Sequence, residues 1–186
     1  YDQQNRIQPE TVDACSPRLP AAFDGFRVVQ ISDLHGKMFG ADNERLLKAV
    51  AGLEPDLIAI TGDLVDDPAQ LSMIPALARA LSGIAPTYYV TGNHEARLKD
   101  LSALEAGLAA RGVRALRDAW MPLARGGEEI TLIGLDDPGF SAGDRGVPQK
   151  SLLTLRRFRS VMERITSSCW RMISSFLSII RAPSVG

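Results

Sequence analysis

A chain of 186 residues with 45% hydrophobic and 23% charged residues has the length and composition of one globular domain with a real core. Its formal net charge of -1 provides no overall attraction to nucleic acid or anionic lipid. No run of about 18 apolar residues occurs, so no membrane span is predicted, and no secretory leader is visible. The chain opens on Tyr1 rather than Met, which leaves room for an upstream anchor or export signal. Cys15 and Cys169 lie far apart without metal-type spacing and are read as unpaired.

Residues 1–20 are polar and contain Pro9, Pro17 and Pro20, so the stretch 10–15 is expected to form at most an edge strand. Residues 26–31 form a nearly continuous apolar run, as in a strand buried on both faces. Asp42 or Asn43 is expected to cap a helix with Leu46, Leu47, Val50 and Leu53 on one face, stopped by Pro55. A second core strand is predicted at 57–60. Asp67-Pro68 then reads as N-cap and first helical residue. Leu71, Ile74, Leu77 and Leu81 carry the helical face, with Pro75 expected to kink or split it and Gly83 to end it. Residues 87–90 make a third core strand, and Leu101, Leu104 and Leu108 a third helix closed by Gly112.

Beyond Gly112 the period changes. Segments 113–116, 119–123 and 129–135 look like strands separated by turns such as Gly126-Gly127, and Asp136-Asp137-Pro138-Gly139 reads as a closing turn. From about Ser151 the character shifts again, to an Arg- and Ser-rich run containing Arg156, Arg157 and Arg159. The predicted layout is an N-terminal segment over 1–20, a domain over 21–150 and an atypical tail over 151–186. The abrupt change of composition suggests that the tail comes from a truncated or frame-shifted coding region.

Asp33, Asp63 and Asn93 are thirty residues apart, and each closes one of the three apolar runs. That spacing is about the length of a strand–helix–strand unit, so one repeat delivers a hard metal ligand to each strand tip. In an extended segment residues i and i+2 point the same way, so Asp33 and His35 are expected to aim at one point while Leu34 returns to the core. Gly62 and Gly92 precede two of the three ligands and allow sharp turns. Two convergent carboxylates repel one another unless a cation lies between them, which itself argues for a metal.

The blocks Asp33-Leu34-His35, Gly62-Asp63 and Gly92-Asn93-His94-Glu95 together resemble the signature of the calcineurin-like metallophosphoesterases. The likeness covers roughly residues 23–149. Longer stretches, Ile60-Thr61-Gly62-Asp63-Leu64-Val65-Asp66 and Leu135-Asp136-Asp137-Pro138, look like its bacterial, often membrane-associated or exported branch. The resemblance implies an α/β fold: a sandwich of two mixed β-sheets flanked by helices, with the second sheet incomplete here. It also implies a metal-dependent phosphoester hydrolase using two divalent ions (Mn, Fe or Zn), with hydroxide attack on phosphorus. Asp33, His35 and Asp63 would hold the first metal, Asp63 and Asn93 the second, and His94 would act as general acid or transition-state stabiliser.

The family also has downstream histidine ligands, whereas His35 and His94 are this chain's two histidines. The second metal then keeps Asp63 and Asn93 alone, so one bound metal rather than two and impaired activity are expected. A non-catalytic metal- or protein-binding scaffold on the same fold is the alternative. Other residues have plainer roles. Asp67 reads as a helix cap, Glu95 as a helix-start acid or a partner of His94, Asp136 and Asp137 as turn formers. Trp120 and Trp170 read as packing residues, and Arg156, Arg157 and Arg159 as a solvated face rather than a nucleic-acid site. The expected partner is a phosphoester substrate, with no span and no clear nucleic-acid binding.

Overall fold

The computed structural model describes residues 7–13, 16–98, 100–136 and 177–181. Four strands, β1 (Val28–Ile31), β2 (Leu57–Thr61), β3 (Thr87–Val90) and β4 (Arg114–Ala115), form a sheet in the order β1-β2-β3-β4, each pair parallel. Helices α1 (Glu44–Gly52), α2 (Ile74–Ile84) and α3 (Leu101–Ala109) are the crossovers between successive strands. A second sheet is antiparallel, in the order β5 (Ala119–Arg125), β6 (Glu128–Gly134), β7 (Leu177–Arg181). Among the described residues each sheet is therefore of one kind, and together with the helices they make the expected α/β architecture.

The alternation of side chains along a strand decides which layer each residue joins. Ile58, Ile60 and Tyr89 pack against Leu46, Val50, Leu77, Leu81, Leu104 and Leu108 of the three helices. Leu57, Ala59, Tyr88 and Val90 point the other way and meet Leu116 and Leu132, with Met121 and Leu123 of β5 against them. All five residues of β2 are buried, because that strand has a layer on both faces. Each large side chain so buried contributes roughly 1.5–3 kcal/mol. At the sheet's edge Val28 of β1 remains 38% exposed.

Several boundaries follow the expected local chemistry. Asp67 accepts from Ala69 N–H and forms a capping box with Gln70, opening a 3-10 turn Pro68–Met73. Pro75 is then the second residue of α2, so the segment is split beside that proline. α2 runs to Ile84, past Gly83, and stops at an extended Ala85 ahead of Pro86, which disfavours a helical residue before it.

Other expectations are corrected. Residues 10–13 form no strand; Val12 is 67% exposed, so nothing anchors an alternating face there. Neither Asp42 nor Asn43 caps α1 with its side chain. Both are left-handed, at φ 51° and 62°, and Asn43 Oδ1 accepts from Phe39 N–H at 2.9 Å instead. Trp120 does not pack in the core: it falls on the outward face of β5 and is 57% exposed. Cys15, Cys169, Asp137, Trp170, Arg156, Arg157 and Arg159, with most of the tail, lie outside the described residues.

Candidate metal centre

Parallel pairing puts the carboxyl ends of β1, β2 and β3 along one edge of the sheet, where the following loops can share a ligand. Asp33, Asp63 and Asn93 each follow one of those ends. The loops after β1 and β2 are joined by backbone hydrogen bonds: Asp33 N–H to Gly62 O at 3.2 Å, His35 N–H to Asp63 O at 2.8 Å and Gly36 N–H to Leu64 O at 2.9 Å. The loops after β2 and β3 approach so closely that a Cβ on Gly62 would strike the backbone of Gly92, and one on Gly92 would strike Asp63. Glycine at both positions therefore has a steric reason, and Gly62, at φ 88°, has a conformational one as well.

Asp33 and His35 do converge while Leu34 is buried, but not along an extended segment. Asp33, His35 and Asp63 sit at φ 55°, 50° and 51°, in the left-handed region that costs a non-glycine residue roughly 1–2 kcal/mol. Two tight left-handed bends, rather than strand alternation, bring the side chains together. One ligand atom from each of Asp33, His35 and Asp63 can be chosen so that all lie within 4.8 Å of one another. His35 Nε2 is 3.8 Å from Asp33 Oδ1. Asp63 is 7% exposed, and its Oδ1 accepts from His94 N–H at 2.9 Å. Asn93 is exposed at the tip of the third loop, next to His94.

Asp66 had no assigned role in the sequence, yet it sits among the histidines. Its Oδ1 lies 2.6 Å from Nδ1 of His35 and 2.6 Å from Nδ1 of His94, whose rings are 4.7 Å apart and edge-on. A carboxylate only accepts, so both Nδ1 atoms carry the hydrogen and both Nε2 lone pairs are left for other work. The hydrogen bond that His35 donates to Asp66, supported by the charges of Asp66, Asp63 and Asp33, raises the His35 pKa above its ordinary value. The same bond to His35 lowers the Asp66 pKa.

Glu95 is a second surprise. It is 0% exposed and does not bond the His94 ring. Its Oε2 accepts from the N–H groups of Asp63 at 2.9 Å and Gly92 at 2.8 Å, and its Oε1 from those of Leu64 at 2.5 Å and Val65 at 3.4 Å. The acid following the Gly-Asn-His block was the one available signal, and it was compatible with a simple helix-start residue. Asp136 also ties distant segments together: it accepts from Thr91 Oγ1 and from Arg117, which also holds Glu105.

The family description "Calcineurin-like phosphoesterase" matches residues 26–178. The chain belongs to that family. Among its relatives, this phosphoesterase chain is 32% identical over 148 residues to "Transmembrane protein with metallophosphoesterase domain" of Danio rerio, covering 74% of this chain and 33% of that protein. It is 32% identical over 146 residues to the protein of the same description in Bos taurus, covering 72% and 33%. It is 30% identical over 149 residues to "Uncharacterized metallophosphoesterase YkuE" of Bacillus subtilis (strain 168), covering 74% and 52%. The chain thus spans between a third and about half of those relatives' lengths. Membership makes this a domain of the metal-dependent phosphoester hydrolases, and the clustered carboxylates and imidazole fit a divalent cation. No helix among the described residues is long and apolar enough to cross a membrane.

Proposed function

We propose that this chain hydrolyses phosphoesters with divalent cations held by Asp33, His35 and Asp63, with Asp63 and Asn93 as ligands of a second cation and His94 as general acid. The convergence of the Asp33, His35 and Asp63 donors within 4.8 Å carries the reading. Divalent cations at such a centre supply Lewis-acid polarisation of a phosphoryl oxygen and a lowered pKa for bound water. The chain's own groups do the rest. Asp66 holds both imidazoles by Nδ1, which leaves His35 Nε2 as a ligand and His94 Nε2 free to carry a proton to the leaving oxygen. Mn, Fe or Zn suits this mixture of carboxylate, amide and imidazole donors.

Two histidines in the whole chain favour a weaker second site and impaired turnover, and they motivate a second reading as a non-catalytic metal- or protein-binding scaffold. The domain boundary is proposed at residues 21–150, with 151–186 as a distinct segment that contributes β7 to the second sheet. Relatives whose printed descriptions include a transmembrane protein support association of the full-length protein with a membrane. The test is Mn- or Zn-stimulated hydrolysis of an aryl phosphodiester alongside metal stoichiometry. Two metals with turnover would refute the impairment; absence of bound metal would refute the hydrolase and favour the scaffold.

A further inference from the structure

Burying a carboxylate is costly unless its charge is met by donors, and a fully buried one in a phosphoesterase loop needs a reason. Glu95 meets that cost with four backbone N–H groups, two on each oxygen, drawn from the loop after β2 (Asp63, Leu64, Val65) and the loop after β3 (Gly92). Both oxygens face only donors, so Glu is suited here in a way Gln is not: its amide nitrogen would oppose two N–H groups. The tie is also reciprocal. Asp63 N–H reaches back to Glu95, while Asp63 Oδ1 accepts from the N–H of His94, the residue before Glu95. Asp63 is thereby gripped at its amide and its carboxylate while it occupies the left-handed region at φ 51°. We infer that Glu95 is a positioning residue for the metal centre: its buried carboxylate holds Asp63 in that bend and sets the spacing between Asp63 and the Asn93-His94 pair. Metal affinity, and not stability alone, then depends on a side chain that never touches the metal. The inference rests on the ligand assignment under Proposed function but not on turnover.

The experiment titrates Mn2+ alone into the full chain by calorimetry and by the electron paramagnetic resonance of free Mn2+, for the wild type, Glu95→Gln and Leu81→Ala. Leu81 is fully buried near the end of α2, close to where β3 begins and so at the opposite end of the sheet from the site. Its loss weakens the fold through a cavity rather than through the loops. Glu95→Gln should bind Mn2+ about tenfold or more weakly while folded by circular dichroism, with Leu81→Ala within about twofold of wild type. Should Glu95→Gln fail to fold, Glu95→Asp replaces it. That variant keeps the charge but loses one methylene of reach, and the same weakening is expected. A glutamine (or, in its place, aspartate) variant that binds Mn2+ as the wild type does overturns the inference. So does Leu81→Ala weakening binding equally, or a wild type that binds no Mn2+. Weakened binding in Glu95→Gln together with a wild type that never turns over would refute the hydrolase and leave Glu95's role standing.

Discussion

Asp136→Ala probes how the second sheet is fastened to the edge that carries the site. Asp136 follows β6 and its side chain is 12% exposed; Oδ1 accepts from Thr91 Oγ1 at 2.8 Å, and Oδ2 lies 2.7 Å from Arg117 Nη2. Thr91, 0% exposed, links β3 to Gly92 and Asn93. Removing the carboxylate leaves the Thr91 hydroxyl buried without its acceptor, a cost of roughly 1–3 kcal/mol. The Arg117 pair adds at most about 1 kcal/mol, because Arg117 is 35% exposed, water screens the charge and Glu105 still holds the guanidinium. The expected loss is about 1–4 kcal/mol, or roughly 2–15 °C in Tm for a chain of this size. Urea denaturation followed by far-ultraviolet circular dichroism measures it. The decisive variant is Asp136→Ala with Thr91→Val, which deletes both partners: it should recover about 1–2 kcal/mol of the loss, because no orphaned hydroxyl remains. The reasoning fails if Asp136→Ala costs less than about 1 kcal/mol, or if Thr91→Val makes the variant worse still.

Asp33→Asn should weaken metal uptake and abolish turnover, whereas His94→Ala should abolish turnover and leave uptake nearly intact; inductively coupled plasma analysis beside a phosphodiesterase assay separates the two. Gly92→Ala should cost several-fold in metal affinity and about 2 kcal/mol or more in stability, since the new Cβ would occupy the space of Asp63, and thermal denaturation with and without Mn2+ would show both. Asp118 has its pKa raised, first by burial and then by the neighbouring Asp136, against the bond from Asp136 N–H. Its native state holds a proton that the unfolded chain has released, so this group lowers stability as pH rises from the ordinary carboxylate range through the raised value. Asp118→Asn keeps the acceptor for Asp136 N–H and tolerates φ 44°, so it should stabilise the chain at neutral pH, with the gain vanishing in acid. A pH series of urea midpoints in which the gain is flat or grows in acid would contradict that account. Removal of metal by a chelator should lower Tm and abolish turnover together, with both restored by Mn2+.

Much of the fold was legible because it rests on local rules. The apolar runs ending at Ile31, Thr61 and Val90, the box of Asp67 and Gln70, the split beside Pro75 and the turn at Gly126-Gly127 all express preferences that act within a few residues. Asn43 and Trp120 departed from expectation for different reasons, one local and one tertiary. Asn43 had the nearby Phe39 amide as a better use for its oxygen, and Trp120 fell on the outer side of a sheet whose covering layer no local pattern specifies.

The order of residues alone determined that three strands would be followed by side chains of metal-ligand type and that both histidines would lie beside them, because spacing and chain connectivity carry that information. Only the tertiary structure decided how those groups are held. Left-handed bends at Asp33, His35 and Asp63 replace the extended path, one oxygen of Asp66 meets two imidazoles, and the buried Glu95 fastens two loops. Backbone amides look alike in a sequence, and which of them face one carboxylate is settled only when the strands have paired and the loops have closed against each other.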